Sequence, residues 1–252
     1  MRIVVVGATG LVGRQLVARL EGDGHEVVAA SPSTGVDAVT GAGLADALAS
    51  AEVVIDVSKP HGYGDDAVLR YYRQSTTNLL RAGADAGVRH HVTLAAIGTD
   101  RLTDSGFYRA KRAQEQLVAA SGTPFTLVRS TQFFEFAAGI ADASTVDGVV
   151  SLPPVPVRPM ASSEVADAVA RVAIGAPRGG VTEFAGPERL TLDAFVRTVL
   201  AARGDPRRVV TDASAAYFGG RPGPDTLVPG PDAELGTLRL ADWLAGASRD
   251  SP

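Results

Sequence analysis

Three glycines at intervals of three, Gly7, Gly10 and Gly13, follow directly on the apolar run Ile3–Val6. Such a loop can build an anion site from main chain alone. Gly7 permits the tight turn off a strand, Gly10 lets the backbone approach a pyrophosphate, and Gly13 lets the next helix pack close to the sheet. That helix carries an amphipathic pattern, Leu11, Val12, Leu16, Val17 and Leu20. Its free N–H groups and positive dipole end would face the anion. Gly7, Thr9, Gly10, Leu11, Val12 and Gly13 are therefore candidate contacts to a dinucleotide phosphate.

In dinucleotide-binding folds an acidic residue ending the second strand binds the adenosine ribose of NAD. Here that strand runs out as Val28-Ala29-Ala30-Ser31-Pro32-Ser33-Thr34, with no carboxylate to repel a 2′-phosphate. The hydroxyls of Ser31 and Ser33, and Arg14 just past Gly13, can hold one through charge-assisted bonds. NADP is the expected cofactor, with NADPH preferred over NADH. Asp37 is a candidate partner for the adenine amino group, or a turn residue.

Other residues could serve an acceptor. Lys59, in Val57-Ser58-Lys59-Pro60 at a strand end, can bind an anion or protonate an intermediate; a surface lysine is the plainer alternative. His61 reads as a loop histidine. Gln132, Phe133 and Phe136 follow the run Phe125–Arg129, at the carboxyl end of the sheet where ligands bind. They can orient a carbonyl and wall a planar ligand, or be a turn amide and core aromatics. His90 and His91 lack carboxylates at ligand spacing, so no metal is expected.

The elements that must position these residues alternate. Strands are expected at Ile3–Val6, Glu26–Ala30, near Val36–Val39, and at Val53–Val57, His91–Ala96 and Phe125–Arg129; helices at Leu11–Glu21, Leu44–Ala49, Asp66–Ala86 and Phe107–Ser121. This alternation predicts a doubly wound parallel α/β sheet. Residues 1–145 are expected to form mainly the nucleotide-binding core. Residues 146–252, with a helix opening at Ser162 and a Gly/Pro-rich stretch from Gly219 to Pro231, are expected to form mainly a small substrate lobe intertwined with it.

The chain resembles the atypical short-chain dehydrogenase/reductase family, in particular its NmrA-like and azoreductase- or quinone-reductase-like members. The resemblance rests on Gly7–Gly13, Thr77-Asn78-Leu79-Leu80, His91–Arg101, Tyr108-Arg109-Ala110-Lys111, Arg129–Phe136, Ala185–Glu188 and Leu227–Gly230. It implies a Rossmann fold. It also implies roles for Lys111 on the nicotinamide ribose, Asn78 on the long helix, and a tyrosine as proton donor whose pKa the lysine lowers. The family pattern puts that tyrosine four residues before the lysine, but Phe107 occupies the position and the phenol lies one residue later, at Tyr108. The family's serine is replaced by Ala95-Ala96, and Thr93 lies deeper in the strand. Simple ketone reduction therefore does not carry over intact. A quinone or enone, which accepts hydride with less acid assistance, suits the remaining residues better.

Net charge −4 with no long basic run argues against a nucleic-acid surface. The absence of cysteine excludes disulfides and thiolate chemistry. No apolar run approaches the roughly 20 residues of a membrane span, and a core strand at Met1 leaves no room for a signal peptide, so a cytoplasmic protein is expected. A monomer is compatible with the sequence, as is a homodimer seamed by its two long helices. The functional expectation is an NADPH-dependent oxidoreductase acting on a small, planar, conjugated acceptor. The alternatives are an NADP(H)-binding redox sensor without catalysis and a non-redox isomerase or cyclase.

Overall fold

The computed structural model describes residues 1–60, 62 and 64–247. In chain order the elements begin β1 (Arg2–Val6), α1 (Leu11–Gly22), β2 (Glu26–Ala30), α2 (Leu44–Leu48), β3 (Val53–Asp56), α3 (Asp65–Asp85), β4 (His90–Ala96), α4 (Gly106–Ala119) and β5 (Phe125–Ser130). They continue with α5 (Ala137–Ala143), β6 (Thr145–Val146), β7 (Val149–Leu152), β8 (Pro156–Val157), α6 (Ser162–Ile174) and β9 (Gly180–Ala185). The last are β10 (Leu190–Thr191), α7 (Leu192–Ala202), β11 (Arg208–Thr211), β12 (Glu234–Leu235) and α8 (Leu240–Ala247).

A parallel seven-stranded sheet has the order β12-β9-β5-β4-β3-β1-β2. β1 pairs with both β2 and β3, so the strand order reverses beside β1, where doubly wound sheets bind ligands. Ile3, Val4 and Val5 have no exposed surface, nor do Val54 and Ile55, as expected of strands covered on both faces. The expected strand near Val36–Val39 does not form. Gly35, Gly41 and Gly43 all have positive φ, and the Asp37 carboxylate accepts the N–H of Val39 at 2.8 Å. These turns override the β-branched side chains.

The chain folds as two compact units. The first comprises Met1–Ala95, Arg109–Arg129 and Val165–Thr182; the second comprises Ala96–Tyr108, Ser130–Glu164 and the residues from Glu183 on. In the first, Val4, Val6, Val54, Leu48, Leu79 and Val88 share a core. In the second, Phe134, Ile140, Leu152, Phe195, Val199 and Leu227 do. Two small sheets, β11-β7-β6 and β10-β8, belong to the second unit.

Within the first unit a buried ion pair ties α4 to β5. The Arg129 guanidinium donates to both carboxylate oxygens of Glu115, each at 2.8 Å, with the side chains only 7% and 3% exposed. Removing one partner leaves the other charge buried. Glu115→Gln should therefore destabilise the protein by about 3 kcal/mol or more. The double change Glu115→Leu with Arg129→Met should recover much of that loss, a comparison that urea unfolding followed by circular dichroism will make.

Candidate active site

The turn off β1 is built by contacts that only glycine allows. Gly7 has φ +86°, and a Cβ there would stand 2.8 Å from the Cα and N of Ser58. A Cβ on Gly13 would stand 2.1 Å from the Gly7 carbonyl oxygen. The Gly7 N–H donates to Ala30 at 2.9 Å, and Gly10 N–H to Gly7 at 3.0 Å. α1 opens at Leu11 with Gly10 as N-cap, no side-chain cap and no acidic residue in its first turn. Its leading N–H groups thus lack an intrahelical acceptor, as an anion site requires. Thr9 and Leu11 are exposed and Val12 and Gly13 are buried. Arg14 is exposed and has no ion pair among the described residues. This cradle fits a dinucleotide pyrophosphate.

At the end of β2 the hydroxyls bond mainly to one another. Ser31 is buried, with its Oγ 2.9 Å from that of Ser33, while Thr34 Oγ1 donates to Ala29 at 2.8 Å and accepts the Ser31 N–H at 2.9 Å. Ser33 remains exposed. Asp37 is the acceptor of its own loop, bonding Val39 and Thr40 N–H. Asn78 on α3 donates to the carbonyls of Ala38 and Val39 at 2.9 and 2.8 Å, so its amide anchors this loop. A groove of about 580 Å³ lies alongside, lined by Val39, Arg70, Tyr71 and Gln74 among others.

Lys111 on α4 is 6% exposed. Its ammonium donates to the Leu94 carbonyl at 2.8 Å and to Gln114 Oε1 at 2.9 Å, and lies 4.3 Å over the Tyr72 ring. Burial pushes it down to about 8, opposed by the negative charges of Asp56 and Glu115. Gln114 Nε2 donates to Asp56 Oδ2 at 2.9 Å; the other Asp56 oxygen accepts from Ser58 N at 3.0 Å and Oγ at 2.6 Å. Asp56 and Gln114 escaped the sequence reading, although a carboxylate inside the apolar run Val53–Val57 was a signal. His91 is also buried, which pushes it down to about 4 against the attraction of Asp56. Lys59 is exposed, one residue beyond Ser58. His61 lies outside the described residues. Among the described residues, no His, Asp or Glu group could hold a metal.

In the second unit Tyr108 is buried, and its phenol bonds with Tyr217 and Gln132. Burial raises its pKa well above the ordinary phenol value, reinforced by Tyr217 and opposed by Arg101 and Gln132. Gln132 Oε1 accepts from Thr131 Oγ1 at 2.9 Å, and its carbonyl accepts the Met160 N–H at 3.0 Å. Phe133 is half-buried and forms a bridge to Met160. Phe136 lies parallel to Phe218, with 6.3 Å between centroids and 9° between planes; Phe107 stands 5.6 Å from Phe218. Phe218 has φ +47° and Gly219 +79°, a two-residue turn closed by the Tyr217–Gly220 bridge. Ser105 Oγ donates to the Phe218 carbonyl at 2.6 Å. Tyr217 and Phe218 were not singled out from the sequence; an aromatic pair ahead of Gly219-Gly220 is the signal that marks them.

The structure thus gathers the three glycines, pairs Ser31 with Ser33, joins Asn78 to the Asp37 loop, and joins Tyr108 to Gln132. Lys111 and Tyr108, three residues apart on α4, have different hydrogen-bond partners.

A strand, glycine turn and uncapped helix at the switch point of a doubly wound sheet define a dinucleotide-binding protein. Residues 7–173 match the NAD(P)H-binding family, and the chain belongs to it. It is 32% identical over 228 residues to the (4-alkanoyl-5-oxo-2,5-dihydrofuran-3-yl)methyl phosphate reductase of Streptomyces griseus, covering 82% of this chain and 75% of that one. Two solved structures share the fold. MoeE5 in complex with UDP-glucose and NAD has a TM-score of 0.73 at 19% identity, covering 99% of both chains. The NADPH-dependent quinone oxidoreductase QOR2 of Escherichia coli has a TM-score of 0.68 at 19% identity, covering 98% of this chain and 99% of that one.

Because a Cβ on Gly13 would stand 2.1 Å from the Gly7 carbonyl oxygen, Gly13→Ala must displace either α1 or the turn. NAD(P)H affinity should fall by at least about 100-fold, a loss of roughly 2.7 kcal/mol or more, while the circular dichroism spectrum stays that of a folded protein. Isothermal titration calorimetry measures the first and a spectrum the second.

Proposed function

We propose that this NAD(P)H-binding reductase transfers hydride from NADPH to a small acceptor whose carbon–carbon double bond is conjugated to carbonyl groups, as in an enone or a quinone. The observation that carries the proposal is the phenol cluster of the second unit. Tyr108, Tyr217 and Gln132 supply neutral hydrogen-bonding groups, with Phe107, Phe136 and Phe218 packed together beside them. Neutral hydrogen-bonding groups beside packed aromatic rings suit a planar carbonyl compound.

The name of the Streptomyces griseus relative describes a compatible acceptor. In a 4-alkanoyl-5-oxo-2,5-dihydrofuran the ring double bond is conjugated to both the lactone and alkanoyl carbonyls. Nicotinamide, when bound, supplies the hydride. Addition at the β-carbon breaks the carbon–carbon π bond and leaves an enolate spread over two oxygens; a proton from a phenol or water then completes the saturated product. Such an enolate needs hydrogen-bond stabilisation more than full proton transfer. That matches a site with alanine in place of the family's serine and a phenol displaced by one position.

In this reading the glycine cradle holds the pyrophosphate and Lys111 steadies the nicotinamide ribose. Arg14 and Ser33 meet the 2′-phosphate, and Asp37 with its Asn78-anchored loop bounds the adenosine. Lys59 stands as an accessory cation for an anionic acceptor. Gln132, Phe133 and Phe136 bind the acceptor.

Fluorescence titration of the purified chain should give an NADPH dissociation constant at least about 10-fold below that for NADH, as one charge-assisted bond predicts. With 1,4-naphthoquinone or a 2-acylbutenolide, absorbance at the reduced nicotinamide band should fall. Tyr108→Phe should lower kcat/KM by about 100-fold. Tight NADPH binding with no turnover across such acceptors would favour a redox-sensing protein instead, and failure to bind either cofactor would favour a non-redox enzyme.

A further inference from the structure

The phosphate cradle and Lys111 are joined through a chain of buried polar contacts inside the first unit. Ser58 is the residue whose Cα and N crowd Gly7. Its N–H and hydroxyl both donate to Asp56 Oδ1, at 3.0 and 2.6 Å. Asp56 Oδ2 accepts from Gln114 Nε2, and Gln114 Oε1 accepts from Lys111 Nζ, both at 2.9 Å. Asp56 and Gln114 are 1% and 0% exposed.

We propose that Gln114 and Asp56 are positioning residues for Lys111, a relay that fixes its ammonium relative to the Gly7 turn and thereby sets how strongly NADPH is held. The inference rests on the NADPH reading above. The Gln114 amide can stand in only one sense, because a flipped amide would place its N–H group against the ammonium and its oxygen against the carboxylate. The carboxylate at one end and the ammonium at the other therefore orient the glutamine, and the glutamine holds Lys111 at a fixed height above β4. An ammonium left in this setting without its amide acceptor would be a desolvated cation short of a partner.

The groups around Lys111 are few. Asp56 reaches it from β3 and Glu115 from α4, Tyr72 presents its ring from α3, and Leu94 offers a carbonyl from β4. His91 on β4 and Tyr71 on α3 face Asp56, and Arg129 and Arg112 face Glu115. Burial lowers His91 to about 4 and raises Tyr71 to about 12, so neither changes charge between pH 7 and 9.5.

The test is NADPH titration of the full chain across that range. In the wild type the dissociation constant should rise as pH climbs through about 8, where Lys111 loses its proton and with it the charge that attracts the cofactor. Asp56→Asn keeps an acceptor for Ser58 but removes the negative charge. Its midpoint should move down by about one pH unit. Gln114→Met cuts the relay without changing net charge and should move the midpoint the same way, which decides the matter if Asp56→Asn does not fold. Lys111→Met should flatten the profile. A flat wild-type profile, or variants that weaken binding equally at every pH with the midpoint unmoved, would overturn the relay while leaving the NADPH reading intact. A wild-type chain that binds no NADPH at any pH would overturn that reading and the relay with it.

Discussion

Backbone segments from β1, α1 and the residues after β3 converge at Gly7 more closely than any side chain would permit, and the nucleotide site is a consequence of that convergence. A methyl group on Gly13 would stand 2.1 Å from the Gly7 oxygen, and one on Gly7 would stand 2.8 Å from Ser58. With β3 paired beside β1, the turn must carry α1 across the reversal in strand order. Its uncapped N-terminus then lies at the carboxyl end of the sheet, where anions are held by N–H groups rather than by charged side chains. The neighbouring side chains are free for other work. Ser31, Ser33 and Thr34 tie off the end of β2, and Asp37 closes a loop that Asn78 pins from α3. No carboxylate follows β2 in this stretch to repel a 2′-phosphate.

A second constraint runs through α4. Lys111, Gln114 and Glu115 lie at i, i+3 and i+4, on one helical face, and all three are buried. Polar groups in a low-dielectric interior need partners, and each finds one outside the helix: Leu94, Asp56 and Arg129 respectively. Apolar side chains of similar volume would hold the helix at least as firmly. What they would lack is direction. A carbonyl, a carboxylate and a bidentate guanidinium fix both the rotation and the axial position of α4, so that Lys111 cannot slide relative to β3 and β4.

The strands β1 to β5 and the long helices were legible in the sequence because apolar runs and helical periodicity are local signals. α3 and α4 fall within two residues of their expected ends. The glycine cradle was legible for the same reason, since its members lie within seven residues. The stretch after β2 was misread as extended because Val36 and Val39 favour strands, whereas three left-handed glycines and the Asp37 turn decide its path. The serines after β2 were visible as hydroxyls, but not that they would bond to one another. Asp56 and Gln114 are 58 residues apart and meet only through the sheet and helix that carry them, so no spacing rule could pair them. Tyr217 and Phe218 stand just ahead of the Gly/Pro-rich stretch, whose local signal is for turns.

The setting of Tyr108 bears on what kind of acid the proposed acceptor site can present. A ketone reductase needs a phenol acidic enough to give up its proton as the hydride arrives, and a nearby cation usually makes it so. Here burial and the adjacent Tyr217 phenol push Tyr108 the other way, and its hydrogen-bond partners are Tyr217 and Gln132. Such a phenol stays neutral and donates a hydrogen bond well, but it is a reluctant acid. An acceptor whose added charge spreads over two carbonyl oxygens asks for the hydrogen bond and can wait for the proton. The left-handed Phe218 fits the same logic. A non-glycine residue in that region carries on the order of 1 kcal/mol or more of strain, and here the Ser105 bond and the packing of Phe107 and Phe136 hold it there. The strain is balanced by contacts that complete the aromatic cluster beside the phenols.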